Sequence, residues 1–246
     1  MEPNATFSIL DTVDSTNNYA MAKVHEGLAK HGMAWFSAHQ TAGKGQRGKH
    51  WIEEEGKNVA LSVILQLEAR FIAKPFLINV LVAVSCHKYF THICHLNFSL
   101  KWPNDLFFND RKAGGILIEN VIAGNTFKCT VVGIGINVKE GTYAHHNILA
   151  TSIATITNKD YDPESIARGL HQQLLWDAAN LNNSHEEEAY LAYFNNFLYR
   201  KGQQVKLKRG NIVFETTIMG VTAFGELHTK DSIDRYFNFG EVTWIL

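Results

Sequence analysis

The sequence predicts an α+β protein that ends in a small β module. Over residues 1–195, apolar strands are interspersed with segments of helical periodicity. Over residues 196–246, short apolar segments follow one another closely and are separated by glycines, which is typical of a small barrel. The chain has 246 residues, enough for one large domain and one small module. We therefore predict two domains, 1–195 and 196–246.

Most of the first half is predicted to form strands, with two helices between them. One helix follows Asp14 and Ser15, either of which suits the N-cap position. Its apolar face is predicted to carry Ala20, Val24 and Leu28. A second helix starts at Pro75 and runs to about Phe90; it is apolar nearly all round, which predicts a core helix. The predicted strands are Phe7–Leu10, Met33–Ala38, Asn58–Leu67, Leu96–Lys101, Leu106–Phe108, Gly114–Ile122 and Phe127–Val138.

Helices return after residue 141, and strands follow them to the end of the chain. A short helix is predicted to begin at Ala150–Ser152 and a longer one at Asp162–Glu164. Ser184 and Glu187 fit a capping box for a third helix, which runs to Asn195 and has a solvated acidic first turn. The predicted strands that follow are Val205–Leu207, Ile212–Gly220, Gly225–Thr229, Tyr236–Phe239 and Val242–Leu246.

Composition argues against several classes of protein. A formal net charge of −1 is unlike that of a dedicated nucleic-acid-binding protein. Three cysteines without a C-x-x-C pair indicate a reducing compartment, with neither a disulfide framework nor a zinc site. The chain does not begin with a signal-peptide pattern, and its most apolar run, around Phe76–Cys86, is too short to span a bilayer. We therefore expect a soluble, cytoplasmic protein.

The segment Gly43–Trp51, with the sequence G-K-G-Q-R-G-K-H-W, combines three glycines with three cations and an aromatic residue. Glycine backbones let N–H groups gather around an anion, and the cations add charge at the same place. These features predict a loop that closes over a phosphate-containing ligand. A basic surface turn and a nucleic-acid contact are the alternatives. The order of residues excludes a P-loop.

Several polar residues outside the loop are also candidates for a binding site. Hydroxyls near Ser15 lie at a helix N-terminus, which suits a polar ligand group. Gln40 offers both a donor and an acceptor, and its alternative is a solvated loop glutamine. Lys101 ends a strand before Pro103, so its ammonium is well held, unless it points into solvent. Asn137 follows a glycine-rich strand and suits contact with a base edge, or else a β-bulge turn.

Four segments in one order resemble the biotin protein ligase family. They are D-S-T-N from Asp14, Q-T-A-G-K-G-Q-R-G-K-H-W from Gln40, K-W-P-N-D-L with K-A-G-G-I-L-I-E from Lys101, and V-G-I-G-I-N-V from Val132. The resemblance covers nearly the whole chain. It implies a mixed-sheet catalytic domain related to class II aminoacyl-tRNA synthetases, followed by an SH3-like barrel. Because D-S-T-N begins at Asp14, it also implies the type without an N-terminal DNA-binding domain.

The resemblance implies roles for individual residues. It makes Lys101 and Arg47 catalytic. It places biotin against Ser15, Thr16, Asn17, Gln40, Gly43, Lys44, Gly45, Gln46, Lys101 and Gly115. It places ATP against Arg47, Lys49, Trp51, Asn137, Thr151 and Ser152. Apolar walls for the valeryl chain of biotin are available from Trp102, Ile116 and Leu117. The usual loop of the family is G-R-G-R-x-G-R, so Lys44, Gln46 and Lys49 are departures, and we expect Arg47 to compensate for the uncharged Gln46.

The activity implied is ATP-dependent formation of biotinyl-5′-AMP and transfer of biotin to a lysine of a biotin carboxyl carrier domain. ATP and Mg²⁺ are the implied cofactors, although the sequence does not identify ligands for the metal. No DNA or membrane partner is expected, and a homodimer is compatible with the resemblance. Two alternatives remain open. A lipoate or octanoate ligase shares the fold and the adenylate chemistry, and a non-catalytic binder would have lost the loop charge at Gln46.

Overall fold

A computed structural model describes residues 6–68, 70–124, 126–141 and 149–245 of the chain. Strands and helices alternate through the first part, and strands alone follow Asn196. The helices are α1 (Thr16–His25), α2 (Arg70–Ala73), α3 (Phe76–Cys94), α4 (Ile153–Thr157), α5 (Pro163–Asn180) and α6 (Ser184–Asn196). The strands are β1 (Phe7–Leu10), β2 (Ala34–Ser37), β3 (Asn58–Leu65), β4 (Ser99–Lys101), β5 (Asp105–Phe108), β6 (Arg111–Ala123), β7 (Thr126–Asn137), β8 (Gln204–Arg209), β9 (Ile212–Val221), β10 (Leu227–Lys230), β11 (Asp234–Phe237) and β12 (Thr243–Ile245).

The strands form two sheets. The first has seven strands in the order β1-β2-β3-β7-β6-β5-β4, and the second has five in the order β11-β10-β9-β8-β12. In the first sheet β1 pairs parallel with β2 and the other pairs are antiparallel, whereas the second sheet is antiparallel throughout. The predicted α+β class, with a mixed sheet followed by a smaller β module, is therefore confirmed. The closed SH3-like barrel and the 195/196 boundary remain predictions.

The large sheet buries both of its faces, because successive side chains of a strand point to opposite sides. On β2, Phe36 belongs to the main core, which also contains α3 and α5. Trp35, the preceding residue, packs with Ala20 of α1 in a smaller cluster on the other face. Ser62 of β3 lies on that α1 face and bonds to Thr16. The α1 face therefore carries polar groups beside a small apolar cluster, and the candidate site lies there.

Helix α1 differs from its prediction at both ends. It ends at His25, so Leu28 lies beyond it and is 57% exposed, whereas Val24 packs against the smaller cluster. Ser15 occupies the N-cap position, but neither its hydroxyl nor Asp14 caps the helix. Gln40 Oε1 accepts the hydrogen bond from the Thr16 N–H instead, at 2.8 Å. A distant side chain has replaced the local cap, so this end of the helix is tied to the site.

The predicted capping box of α6 is wrong by one residue. Asn183 is the N-cap and accepts a hydrogen bond from the backbone N–H of Glu186 at 3.1 Å. Glu187 is buried and pairs with Lys74 at 3.2 Å, so it is not part of a solvated turn. The acidic first turn thus joins α6 to the segment before α3.

Helix α3 is longer than predicted, with 19 residues up to Cys94. By length and composition alone the whole helix meets the requirement for crossing a membrane, and the predicted apolar run Phe76–Cys86 is its first part. However, 67% of its most apolar window is buried inside the protein. Its packing assigns it to the core of the fold.

The two sheets share one continuous core. Leu100 of β4 donates its N–H to Phe197 O at 2.8 Å and accepts from Tyr199 N at 2.9 Å. Asn195 makes two bonds to the backbone of Val221, at 2.9 and 2.7 Å. The buried cluster extends from the helices of the first part into β8, β9 and β10. The second sheet therefore lies directly beside the strand that ends in Lys101.

Candidate active site

A cleft of about 470 Å³, including the space at its open mouth, lies on the α1 face of the large sheet. The predicted residues that line it are Ser15, Thr16, Asn17, Gln40, Lys44, Gly45, Gln46, Trp51, Gly115, Ile116 and Leu117. Residues that the sequence analysis did not single out for the site also line it: Ala60, Leu61, Asn104, Lys112, Gly133, Ile134 and Gly135.

One end of the cleft is built from hydroxyl and amide groups. Ser15, Thr16 and Asn17, at the start of α1, are each at most 3% exposed. Ser62 Oγ lies 2.8 Å from Thr16 Oγ1 and 2.5 Å from Asn17 Oδ1. Gln40 Oε1 accepts from the N–H and the hydroxyl of Thr16, at 2.8 and 3.2 Å. These side chains are held in place by one another, so they present a preformed polar surface to a ligand.

Glu119 connects this polar end to the loop. Its Oε2 accepts from Asn17 Nδ2 at 2.7 Å, and its Oε1 lies 3.5 Å from Lys44 Nζ. Glu119 is the last residue of the K-A-G-G-I-L-I-E segment. Asn17 Nδ2 donates to Glu119 and Asn17 Oδ1 accepts from Ser62, so both polar atoms of the amide are bonded within the protein. Asn17 therefore supports the structure of the cleft.

The loop forms much of the wall through its first part. Lys44, Gly45 and Gln46 line the cleft, and Gly43 packs just behind it, where a Cβ would come within 2.6 Å of Trp51 O. Among the described residues, Gln46 Oε1 is buried without a hydrogen-bond partner. A buried acceptor of this kind is costly unless it is satisfied. A ligand with a donor group would satisfy it.

Trp51 covers the middle of the sheet. Its indole lies on β7 so closely that a Cβ at Gly135 would be 2.6 Å from Cε2. Lys112 Nζ lies 5.8 Å from the centre of the same indole. Trp51 therefore forms a flat apolar wall, and the glycine beneath it makes that position possible.

Lys101 is buried, with 6% of its surface exposed, and lies on the same sheet face as the cleft. The register places it opposite Asp105, which in turn pairs with Gly115 of the cleft. Its Nζ is surrounded by aromatic rings, with centres 4.6 Å away for Phe107, 5.5 Å for Trp244 and 5.9 Å for Tyr199. Trp244 comes from the second sheet.

The charge of Lys101 is held in an unfavourable environment. Burial lowers the pKa of its ammonium to about 8, against the opposing effect of Asp105. Within the described ranges, no hydrogen bond or ion pair engages Nζ. A buried cation without a partner is strongly attractive to an anion, although Lys101 is not itself among the cleft-lining residues in this conformation.

Lys112 lines the cleft, as does Lys44 of the loop. Its Nζ lies 2.7 Å from Asp105 Oδ1, and both side chains are 16% exposed. A Cβ at Gly115 would come 3.1 Å from Nζ, so the glycine leaves room for the ammonium at the surface of the cleft. Lys112 begins the K-A-G-G-I-L-I-E motif, but no role was predicted for it. Its position two residues before the Gly114-Gly115 pair was the available signal.

Other predicted site residues lie away from the cleft. Asn137 is fully buried, and its amide bonds to Asn58 at 3.1 Å and to Thr151 O at 3.0 Å. Ser152 caps α4 by accepting from Thr155 N. The side chain of Asn137 is thus bonded to the backbone of Thr151, the residue before Ser152. Contact of these three residues with adenine remains a prediction. Lys49 is exposed and is not among the cleft-lining residues.

Two residues have partners in the segments that connect the strands of the second sheet. Arg47, with a φ of 57°, lies outside the cleft lining, and its guanidinium is 5.6 Å from the ring centre of Phe239. Trp102, expected as a wall for the valeryl chain, is buried elsewhere and donates from Nε1 to Gly225 O at 2.9 Å. That expectation is wrong, because the indole of Trp102 joins the two sheets.

The site thus combines a polar, hydroxyl-lined end with two lysines at the other side of a glycine-floored cleft. Such a site is suited to a ligand with a polar head at one end and an anionic group at the other. Among the residues that the structure describes, no group of three His, Cys, Asp or Glu side chains is placed to hold a metal ion.

Comparison with known proteins supplies the family. Residues 9–137 match the model of the biotin/lipoate A/B protein ligase family. The chain belongs to that family. It is 35% identical over 136 residues to the bifunctional ligase/repressor BirA of Escherichia coli, and 34% identical over 133 residues to the biotin–[acetyl-CoA-carboxylase] ligase of Paracoccus denitrificans. Each match covers 53% of this chain, but only 40% of the E. coli protein and 53% of the Paracoccus protein.

A solved structure covers more of the chain. The biotin protein ligase from Aquifex aeolicus in complex with biotin and ATP is similar over 97% of both chains, with a TM-score of 0.79 and 24% identity. This likeness concerns the fold, and it confirms the predicted fold class of the chain.

Proposed function

We propose that this protein is an ATP-dependent ligase that activates biotin as biotinyl-5′-AMP and transfers it to a lysine of a biotin carboxyl carrier domain. The observation that carries the proposal is the buried, unpaired ammonium of Lys101 beside a cleft with a hydroxyl- and amide-lined end. Membership of the family, the ligase names of the relatives and the biotin and ATP bound by the Aquifex protein support it.

The groups of biotin match the two ends of the cleft. Its ureido ring carries donors and an acceptor, which suit Ser15, Thr16 and Gln40 at the start of α1. Its chain runs along the apolar surface of Trp51, and its carboxylate meets Lys101, with Lys112 close by. The nearly buried ammonium then interacts with the carboxylate in a medium of low polarity, where the attraction is stronger than in water.

The proposed reaction has two steps. A carboxylate oxygen of biotin attacks the α-phosphorus of ATP, the bond from that phosphorus to the bridging oxygen breaks, and pyrophosphate leaves. The amine of the acceptor lysine then attacks the acyl carbon, AMP leaves with the original carboxylate oxygen, and the amine loses a proton. No nucleophile of the protein is needed, so catalysis rests on positioning and charge stabilisation.

The loop supplies the remaining charge. Lys44 lies at the cleft, and Arg47 and Lys49 reach the phosphates if the loop rearranges when nucleotide binds. Mg²⁺ normally accompanies ATP and neutralises its phosphates. The described residues offer no cluster of ligands for it, so we assign no step to the metal.

The three buried free thiols fit a reducing, cytoplasmic setting.

A lipoate or octanoate ligase is the main alternative, because the family includes both activities by name. The buried Gln46 Oε1 in the cleft wall favours biotin, since a dithiolane or alkyl head group offers it no donor. Exchange of labelled pyrophosphate into ATP, measured with each acid in turn, tests the proposal. We expect exchange with biotin only. Exchange with lipoate alone would establish the alternative, and exchange with neither acid would indicate a non-catalytic binder.

A further inference from the structure

Glu53, two residues after the loop, lies behind the polar end of the cleft. Its Oε1 accepts from the backbone N–H of Gln40, and its Oε2 accepts from Gln40 Nε2 at 3.1 Å. This half-buried carboxylate therefore receives two hydrogen bonds from Gln40, a residue that lines the cleft.

These bonds determine which way the amide of Gln40 points. Because Nε2 donates to Glu53, Oε1 is turned toward Thr16, where it accepts two hydrogen bonds. Both lone pairs of Oε1 are thus used within the protein. The second N–H of Nε2 is the group that Gln40 retains for a ligand. The expectation that Gln40 offers a ligand both a donor and an acceptor is therefore replaced by a donor alone.

We propose that Glu53 is a positioning residue for ligand binding, which acts through Gln40 by holding its amide in the orientation that presents N–H to the carbonyl oxygen of a cyclic urea. An ionised carboxylate has no donor, so it accepts only the amide orientation seen here. A glutamine at this position carries both a donor and an acceptor, and would permit the reversed orientation as well. The inference deepens the proposed function and rests on it for the identity of the ligand.

A double-mutant cycle tests this inference. The variants are Glu53→Gln, Gln40→Ala and the double variant, and the measurements are the Kd for biotin by calorimetry and the kcat of pyrophosphate exchange at saturating biotin. Glu53→Gln should weaken biotin binding by roughly tenfold, the effect of one lost hydrogen bond to a charged group, while kcat changes little. In the Gln40→Ala background the same substitution should have almost no effect, because the two residues are coupled.

Glu55→Gln is the matched control, because Glu55 lies two residues away and is exposed. Unchanged biotin affinity in Glu53→Gln, or an equal loss in the presence and absence of Gln40, would overturn the inference. Equal loss in kcat and affinity would also overturn it.

A second measurement uses the wild-type protein and does not depend on the variant folding. In its NMR spectrum, one side-chain amide proton of Gln40 should be protected from exchange with water, and two freely exchanging protons would contradict the inference. This experiment also separates the two proposals. A protected Gln40 proton in a protein that does not bind biotin would contradict the proposed function and leave the role of Glu53 in orienting Gln40 intact.

Discussion

The guanidinium of Arg47 lies against the backbone of Gly240, so that a Cβ at Gly240 would come within 1.7 Å of Nη1. Arg47 belongs to the glycine-rich loop, and Gly240 follows β11 in the second sheet. Phe239 packs beside them, 5.6 Å from the guanidinium and 6.0 Å from the ring of Trp102. The carboxyl-terminal module therefore holds the loop cation away from the cleft, and loop movement requires this contact to break.

Substitution of Gly240 by alanine should free the loop. The new Cβ and Arg47 cannot occupy the same space, so hydrogen exchange in residues 43–51 should accelerate by roughly 5–30-fold, as expected for a loss of one or two kcal/mol of local stability. Free biotinyl-adenylate should accumulate as well, because the loop is expected to cover it.

Gly210→Ala is the control for backbone strain. Gly210 has a φ of +59° and open space around it, whereas Gly240 has a φ of +87° and the Arg47 contact. Both variants carry the strain of alanine at positive φ, about 1–2 kcal/mol. If Gly210→Ala accelerated loop exchange as much as Gly240→Ala, the contact with Arg47 would not be what restrains the loop.

The pH dependence of biotin binding should reflect the ionisation of the Lys101 ammonium. Its pKa is lowered to about 8, and only the ammonium attracts a carboxylate. The affinity for biotin should be constant below that pH and fall by about tenfold per pH unit above it, as one proton must be taken up on binding. In Lys101→Arg the charge persists, so the inflection should vanish even if the affinity is lower. An affinity that stays constant from pH 7 to 9.5 in the wild type would refute this assignment.

Removal of the Trp244 ring should change the pH above which the affinity for biotin falls. Trp244 of β12 lies 5.5 Å from Lys101 Nζ and helps to exclude water from it. In Trp244→Ala the ammonium becomes better hydrated, so its pKa should rise toward the ordinary value of 10.5 and the loss of biotin affinity should shift to higher pH. Trp244→Phe retains a ring and should behave like the wild type. An unshifted inflection in a well-folded Trp244→Ala variant would show that Trp244 has no such effect.

The contacts between the two sheets predict a single unfolding transition. Asn195→Ala removes two hydrogen bonds to Val221 and leaves both backbone groups without that partner, so the free energy of unfolding should fall by about 1–3 kcal/mol. The neighbouring Asn196 is exposed, and Asn196→Ala should be nearly neutral. Urea denaturation followed by circular dichroism and by tryptophan fluorescence gives the measurement. Two separate transitions would instead indicate that the modules unfold independently.

Local patterns in the sequence predicted much of the fold. The strands of the large sheet are visible as apolar runs, since a strand buried on one or both faces requires them. The α1 N-terminus and the loop were also recognisable, because the glycines, hydroxyls and cations that suit a ligand occur there together. Errors occurred at helix ends, where a distant residue replaced the local one: Gln40 takes the role expected of Ser15, and Leu28 lies past the last turn.

The relations between distant parts of the chain were not predictable from local pattern. Nothing near Arg47 in the sequence indicates Gly240, and nothing near Lys101 indicates Trp244. No role was predicted for Glu53, because a single glutamate after a loop is most often solvated. Its contact with Gln40 depends on the fold. These residues depend on tertiary packing, which determines how a recognisable motif is oriented.

In the proposed reaction, this cleft joins the carboxylate of biotin to AMP before transfer. Biotin labelled with ¹⁸O in both carboxylate oxygens, incubated with the protein, ATP and a biotin carboxyl carrier domain, tests it most directly by mass spectrometry of the AMP released. We expect one ¹⁸O atom in each AMP, formed together with biotinylated carrier, and almost no labelled AMP from Lys101→Ala. Biotinylated carrier accompanied by unlabelled AMP, or no AMP at all from the wild-type protein, would contradict it.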